Sequence, residues 1–133
     1  MPHTLSKAER LNQKKVIGRM FRSGSRSFTV FPLRVVYMDA TDDLHVPVAV
    51  MTSVSKRYFK HAVRRNRVKR QIREAYRLNK DKLVEFAAAN GKKIAIDFIY
   101  LSDRLFDTSF ITKKVCTALS IIEEKLHATM QER

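Results

Sequence analysis

The chain has little of most things that stabilise or anchor a protein by special means. It has a single cysteine, Cys116, so no internal disulfide can form. Nothing points to secretion, and a reducing cytoplasm is the expected compartment. Three glycines and three prolines leave no flexible linker and no low-complexity tract. There is no internal repeat. No apolar run approaches the ~18–20 residues that span a bilayer. The amino terminus, MPHTLSKAERLNQKK, lacks the apolar segment of a signal peptide. Acidic residues are also few: 13 Asp and Glu face 27 Lys and Arg, for a net charge of +14.

That imbalance is the first positive signal. Self-repulsion of this size costs a small protein stability unless a polyanion neutralises it. Nucleic acid is the leading partner, ahead of an anionic membrane surface. The length, 133 residues, suits one domain over 1–133, and 44% apolar residues suffice for a core.

Residues 1–11 read as a basic irregular arm. Val16, Ile17, Met20 and Phe21 fall at helical spacing within a short helix over 13–22, stopped at Gly24. Strand formers run from Phe28 to Met38, with Pro32 favouring an edge position or a bulge. The polar segment 39–43 is a turn, and His45 to Val54 is a second strand, so a short hairpin is expected to join the two. A helix starts near Ala62 and runs through about residue 82. Leu83 to Ala89 continues or restarts it, and Asn90-Gly91 ends it. Lys93 to Leu101 is a strand. Asp107 or Thr108 caps a last helix whose buried face carries Ile111, Val115, Ala118, Ile122 and Lys125 or Leu126. The order α-β-β-α-β-α, with room for one β-run to split in two, predicts an α+β fold with a small sheet packed on helices.

The stretch from Lys56 to Lys82 holds twelve basic residues, opposed only by Glu74 and Asp81. At about 100° per residue, Val68, Ile72, Ala75 and Asn79 share one side, extended by Leu83 and Phe86. Asn66, Arg70, Arg73 and Arg77 share the other, flanked by Lys69 and Lys80 on one edge and Arg67 on the other. Like charges one helical turn apart repel, and phosphate relieves that repulsion. Arginine suits bidentate phosphate binding and base stacking better than lysine.

No protein active site is visible. His3, His45, His61 and His127 are scattered, and none forms HExxH or a metal-ligand spacing with Cys116. His61 reads as a phosphate neighbour. There is no phosphate-binding glycine loop. Asp39, Asp42 and Asp43 read as turn residues.

The run Ala62-Val63-Arg64-Arg65-Asn66-Arg67-Val68-Lys69-Arg70-Gln71-Ile72-Arg73-Glu74, entered from Ser53-Val54-Ser55-Lys56, resembles the "RNR" signature of the bacterial ribonuclease P protein family. The resemblance covers roughly residues 9–127. It implies an α+β sandwich like the second domain of ribosomal protein S5, with a left-handed crossover between parallel strands. It implies a tRNA-processing endonuclease whose catalytic centre lies in an RNA subunit, with Mg²⁺ bound mainly by that RNA and no organic cofactor. The partners implied are the RNA subunit and precursor tRNA, with no membrane and no obligatory protein partner. Arg65, Asn66, Arg67, Lys69, Arg70 and Arg73 would face the RNA subunit, with Lys56 and Arg77 beside them. A cleft between the first helix and the sheet would hold the single-stranded 5′ leader. Phe21 matches an aromatic of that cleft, and Ile17 stands where the family usually has Phe. Phe31 and Tyr37 are both candidates for a further cleft aromatic, because the strand register is open. Arg34 would supply a phosphate contact. The rival reading is a ribosomal or other structural RNA-binding protein with no processing role. A helix-turn-helix regulator is disfavoured because a strand, not a helix and tight turn, leads into the basic helix.

Overall fold

Ile94–Tyr100 (β4), with sequence IAIDFIY, is the most apolar strand, and it lies inside the sheet. In the computed structural model, which describes residues 5–22 and 25–131, β4 is flanked on both sides. Leu33–Asp39 (β2) pairs with it antiparallel, Leu33 opposite Tyr100 and Asp39 opposite Ile94. Val48–Val54 (β3) pairs with it in parallel, Val48 opposite Ile94 and Val54 opposite Tyr100. Arg26–Val30 (β1) pairs antiparallel with β2 and completes the order β1-β2-β4-β3.

This order corrects two expectations. The split β-run is itself the hairpin: Val30 lies opposite Leu33, and Phe31-Pro32 is its turn rather than a bulge or an edge position. No hairpin joins β2 to β3, because β4 occupies the place between them. A strand with apolar residues on both faces gains most where helices cover both faces. β3 also starts at Val48, three residues later than expected.

The parallel β3–β4 pair needs a long crossover. Ala62–Asn79 (α2) and Asp81–Ala89 (α3) supply it. The basic helix therefore restarts at Lys80 rather than running straight on. The turn that ends α3 contains Gly91, whose φ of +64° suits glycine. There Gly91 N–H donates to Ala88 O at 3.2 Å and Lys92 N–H to Ala87 O at 2.8 Å, which satisfies the last carbonyls of the helix. Thr108–Gln131 (α4) is capped by Asp107, whose carboxylate accepts the Phe110 N–H at 2.8 Å. That bond, with a second from Ser109 Oγ, holds the Asp107 pKa below the usual carboxylate value.

The middle of the sheet is buried on both faces. On one, Leu33, Val35, Tyr37, Ile94, Ile96 and Phe98 pack with Val68, Ile72 and Tyr76 of α2 and with Ile111, Val115, Ala118 and Ile122 of α4. Each fully buried Val, Leu, Ile or Phe among them contributes roughly 1.5–3 kcal/mol. Asn79 is not part of this face. It is exposed, and its amide donates to Ala75 O within the last turn of α2. On the other face, Val36, Met38, Ala49 and Ala95 meet Val16 and Met20 of Lys14–Arg22 (α1). Ala49 and Ala95 leave room for that helix to approach.

Of the arm expected over 1–11, residues 1–4 lie outside the described residues, and residues 5–11 pack against the body rather than standing off it. Lys7–Glu9 forms a short 3-10 turn. Arg10 then bridges Val50 in parallel, and Leu11 N–H donates to Val50 O at 2.7 Å. The free edge of β3 is thereby partly covered.

Candidate nucleic-acid interface

α2 is fixed by its apolar side and by Gln71, whose amide donates to Phe106 O at 3.0 Å. Its other side is turned outward. Asn66 and Arg70 are exposed, and Arg73 and Arg77 are half-buried. These four, with Leu5, Arg10 and Glu74, line a depression of about 390 Å³. Arg77 is held by Glu74, with a nitrogen–oxygen distance of 2.6 Å. Arg73 Nε donates to Lys69 O at 3.4 Å. The rest of the row, Asn66 and Arg70, faces solvent.

The remaining basic residues of this segment divide. Lys56 and Arg67 are exposed, Lys56 in the turn after β3 and Arg67 on the α2 edge nearest Tyr100. Lys69 is half-buried. Arg65 is bound to the loop before the helix, donating to Phe59 O at 2.7 Å and Lys60 O at 2.9 Å. It braces the entrance to α2 as well as adding charge. Lys80 departs from the expected edge of the row: it is turned inward and meets Glu9.

The other expected surface lies beside α1. Ile17 packs on the cluster formed with Val36, Met38 and Ala95, and Phe21 stands 60% exposed at the end of that helix. Arg34 is exposed, and strand alternation puts it on the sheet face of Val36 and Met38. These three therefore share the α1 side. Tyr37 and Phe31 do not join them. Tyr37 is 5% exposed on the opposite face, in edge contact with Phe28. Phe31 is in the β1–β2 turn, next to Phe106. The one-residue alternation of β2, open in the sequence, decides the first correction, and the hairpin turn at Phe31-Pro32 decides the second. The Gly24 stop expected after α1 lies outside the described residues.

Two residues were not picked out from the sequence, one in the depression and one in the core. Arg10 enters the depression because the chain before α1 folds back over α2. The signal for that fold is the Ser6-Lys7-Ala8-Glu9 pattern, in which Glu9 accepts the Ser6 N–H at 3.1 Å. Asp97 is fully buried on the α1 side of β4. Burial pushes its pKa up to about 6, against the opposing effect of Ser53 Oγ donating at 3.0 Å. A strand pattern gives no warning of a carboxylate placed inward. Among the described residues, no group of three or more His, Cys, Asp or Glu is gathered to hold a metal ion, and no helix is long and apolar enough to cross a membrane.

A mixed sheet that pins one helix by its apolar side and leaves a row of arginines facing outward defines the class: a small α+β nucleic-acid-binding protein. The sequence model of the ribonuclease P family matches residues 5–118. The chain belongs to that family. It is 43% identical over 103 residues to the ribonuclease P protein component of Porphyromonas gingivalis, a match spanning 77% of this chain and 74% of that one. Its fold matches a mutant of the Staphylococcus aureus RNase P protein with a TM-score of 0.68 at 23% identity, over 88% of this chain and 90% of that one. It also matches the RNase P protein of Thermotoga maritima, with a TM-score of 0.62 at 21% identity, over 84% and 94% of the two chains.

Proposed function

We infer that this chain is the protein component of ribonuclease P. It holds the catalytic RNA subunit on α2 and the 5′ leader of precursor tRNA beside α1, and so assists endonucleolytic removal of the leader. The observation that carries this reading is the outward row Asn66, Arg70, Arg73 and Arg77 on a helix locked by its opposite side. A fixed row of guanidinium groups is preorganised for phosphate and loses little freedom on binding. Arg67, Lys69, Arg65 and Lys56 extend the positive field around it.

On the α1 side, Phe21 offers a ring for a leader base, Ile17 an apolar wall and Arg34 a phosphate contact. The chemistry of hydrolysis belongs to the RNA subunit and its Mg²⁺. This chain's residues bind and orient. They raise the affinity for a substrate that carries a leader, and their positive charge offsets repulsion between two polyanions. The compartment this assigns is the cytoplasm.

A cleavage assay tests the reading. Purified protein in Mg²⁺ buffer is expected to leave precursor tRNA intact. Added to a bacterial ribonuclease P RNA at low salt and low Mg²⁺, it is expected to stimulate release of the leader. Nuclease-free cleavage by the protein alone, or no stimulation of the RNA, would overturn it.

A further inference from the structure

Phe31 occupies a turn position, where small or polar residues are the rule, and it is 57% exposed. It does not stand alone. Its ring meets Phe106 edge-on, with centroids 6.3 Å apart at 86°. Phe106 stacks on Phe110, 4.7 Å apart at 24°. The Arg104 guanidinium lies 5.8 Å from the Phe106 centroid and the Lys114 ammonium 5.1 Å from that of Phe110. Both are within cation–π range. The core at this end of the sheet is already closed by Phe59, Tyr100 and Ile111, all buried. The outer ring adds little to it.

The patch is attached to the basic helix. Gln71 donates both to Phe106 O and to Thr108 Oγ1, at 3.0 and 3.3 Å. Tyr100 Oη donates to Arg104 O at 2.5 Å, and the Arg67 charge reaches that hydroxyl. Exposed Lys113 adds a further cation. Of the nearby carboxylates, Asp107 is engaged in the cap of α4, and Asp103 is exposed. Rings fixed in place and flanked by cations form a platform for nucleobases, with charge for the phosphates between them. Only unpaired bases offer their faces in this way.

We propose that Phe31, Phe106 and Phe110, with Arg104 and Lys114, form a second binding surface for unpaired RNA, in which a base stacks on Phe31 and adjacent phosphates meet the cations. This surface is distinct from the one beside α1, which lies on the opposite face of the sheet. It rests on the reading that RNA is the partner, and it adds a contact that continues the row on α2 past Arg67.

The chain has no tryptophan, so Phe31→Trp introduces a single indole as a reporter. The probes are an end-labelled hexauridylate, an RNA hairpin with a fully paired stem and a minimal loop, and inorganic polyphosphate of matching charge. Binding is followed by anisotropy and stacking by indole emission. Hexauridylate is expected to quench the indole, and the hairpin and polyphosphate to bind without quenching it. Phe31→Ala, with an unchanged circular dichroism spectrum, is expected to bind hexauridylate about fivefold or more weakly. Hexauridylate binding that leaves the indole unchanged, equal quenching by polyphosphate, or parental affinity in Phe31→Ala overturns the proposal. So does a shift in emission that depends on protein concentration without RNA, which marks self-association. Phe21→Trp separates the two levels. If that indole responds to hexauridylate and the first does not, the second surface falls and the proposed function stands. If no RNA binds to any variant, both fall.

Discussion

Lys80 Nζ lies 2.5 Å from a Glu9 carboxylate oxygen, and the two side chains are only 10% and 17% exposed. The pair ties the segment before α1 to the joint between α2 and α3. Burial alone would push the Glu9 pKa up, but Lys80 and the Ser6 N–H together hold it below the usual value of 4.5. Its stabilising effect is therefore complete above that value and is lost as the pH falls through the lowered one. Glu9→Ala is expected to cost about 1–3 kcal/mol in urea denaturation at pH 7, since it takes the Glu9 carboxylate away from the Lys80 ammonium. The double variant with Lys80→Ala is expected to cost less than the sum of the two. Additive losses would show that the pair does not act as a unit.

Asp97 gives the opposite pH dependence. Its pKa is raised from 3.8 to about 6 by burial, so across that window the folded chain takes up a proton that the unfolded chain does not. Stability falls as the pH rises through the window. Asp97→Asn is expected to be more stable than the parent by roughly 2–3 kcal/mol at pH 7.5 and to lose that advantage below pH 3.8. Urea titrations at several pH values measure this, and a pH-independent difference would contradict it.

Arg70→Ala and Arg73→Ala each remove a cation from the row on α2. Each is expected to weaken binding of a bacterial ribonuclease P RNA by about 1–3 kcal/mol. Each is also expected to make the slope of log affinity against log salt shallower, by roughly 0.7–0.9 for each phosphate that is no longer neutralised. Filter binding across a range of salt concentrations reads both quantities. An unchanged slope would remove these residues from the interface.

Phe21→Ala affects a different surface. Its ring is 60% exposed, so the fold is expected to survive, as circular dichroism will check. Assembly with the RNA subunit is expected to stay close to normal. The preference for precursor over mature tRNA is expected to drop by about 1–3 kcal/mol if one base stacks there. Undiminished discrimination in the folded variant would place the leader elsewhere.

Much of this was legible in the sequence because helix periodicity and charge are local. The apolar side of α2 at Val68, Ile72 and Ala75 and the row Asn66, Arg70, Arg73 and Arg77 follow from spacing alone. The buried face of α4 does too. Strand neighbours are not local. That β4 would part β2 from β3 depends on which strand gains most from two covered faces. The facing of Tyr37 and the setting of Phe31 depend on a register that shifts with one residue. Lys80 counts as one more surface cation until Glu9, far away in sequence, folds back to reach it.

The strand order also sets a timetable. β4 is the last strand made and lies in the middle, pairing with β3 residues more than forty positions earlier. While the chain emerges from the ribosome, β2 and β3 have no common partner, and the apolar side of α2 has β3 but not yet β4 or α4 to rest on. At that stage the arginine row belongs to a charged helix without a fixed orientation. The nascent segment can attract RNA but cannot present it with a rigid surface. Only when Ile94–Tyr100 slides between its neighbours and α4 follows does the basic helix gain a defined facing. Synthesis of β4 and α4 thus becomes the step that licenses productive assembly with the RNA.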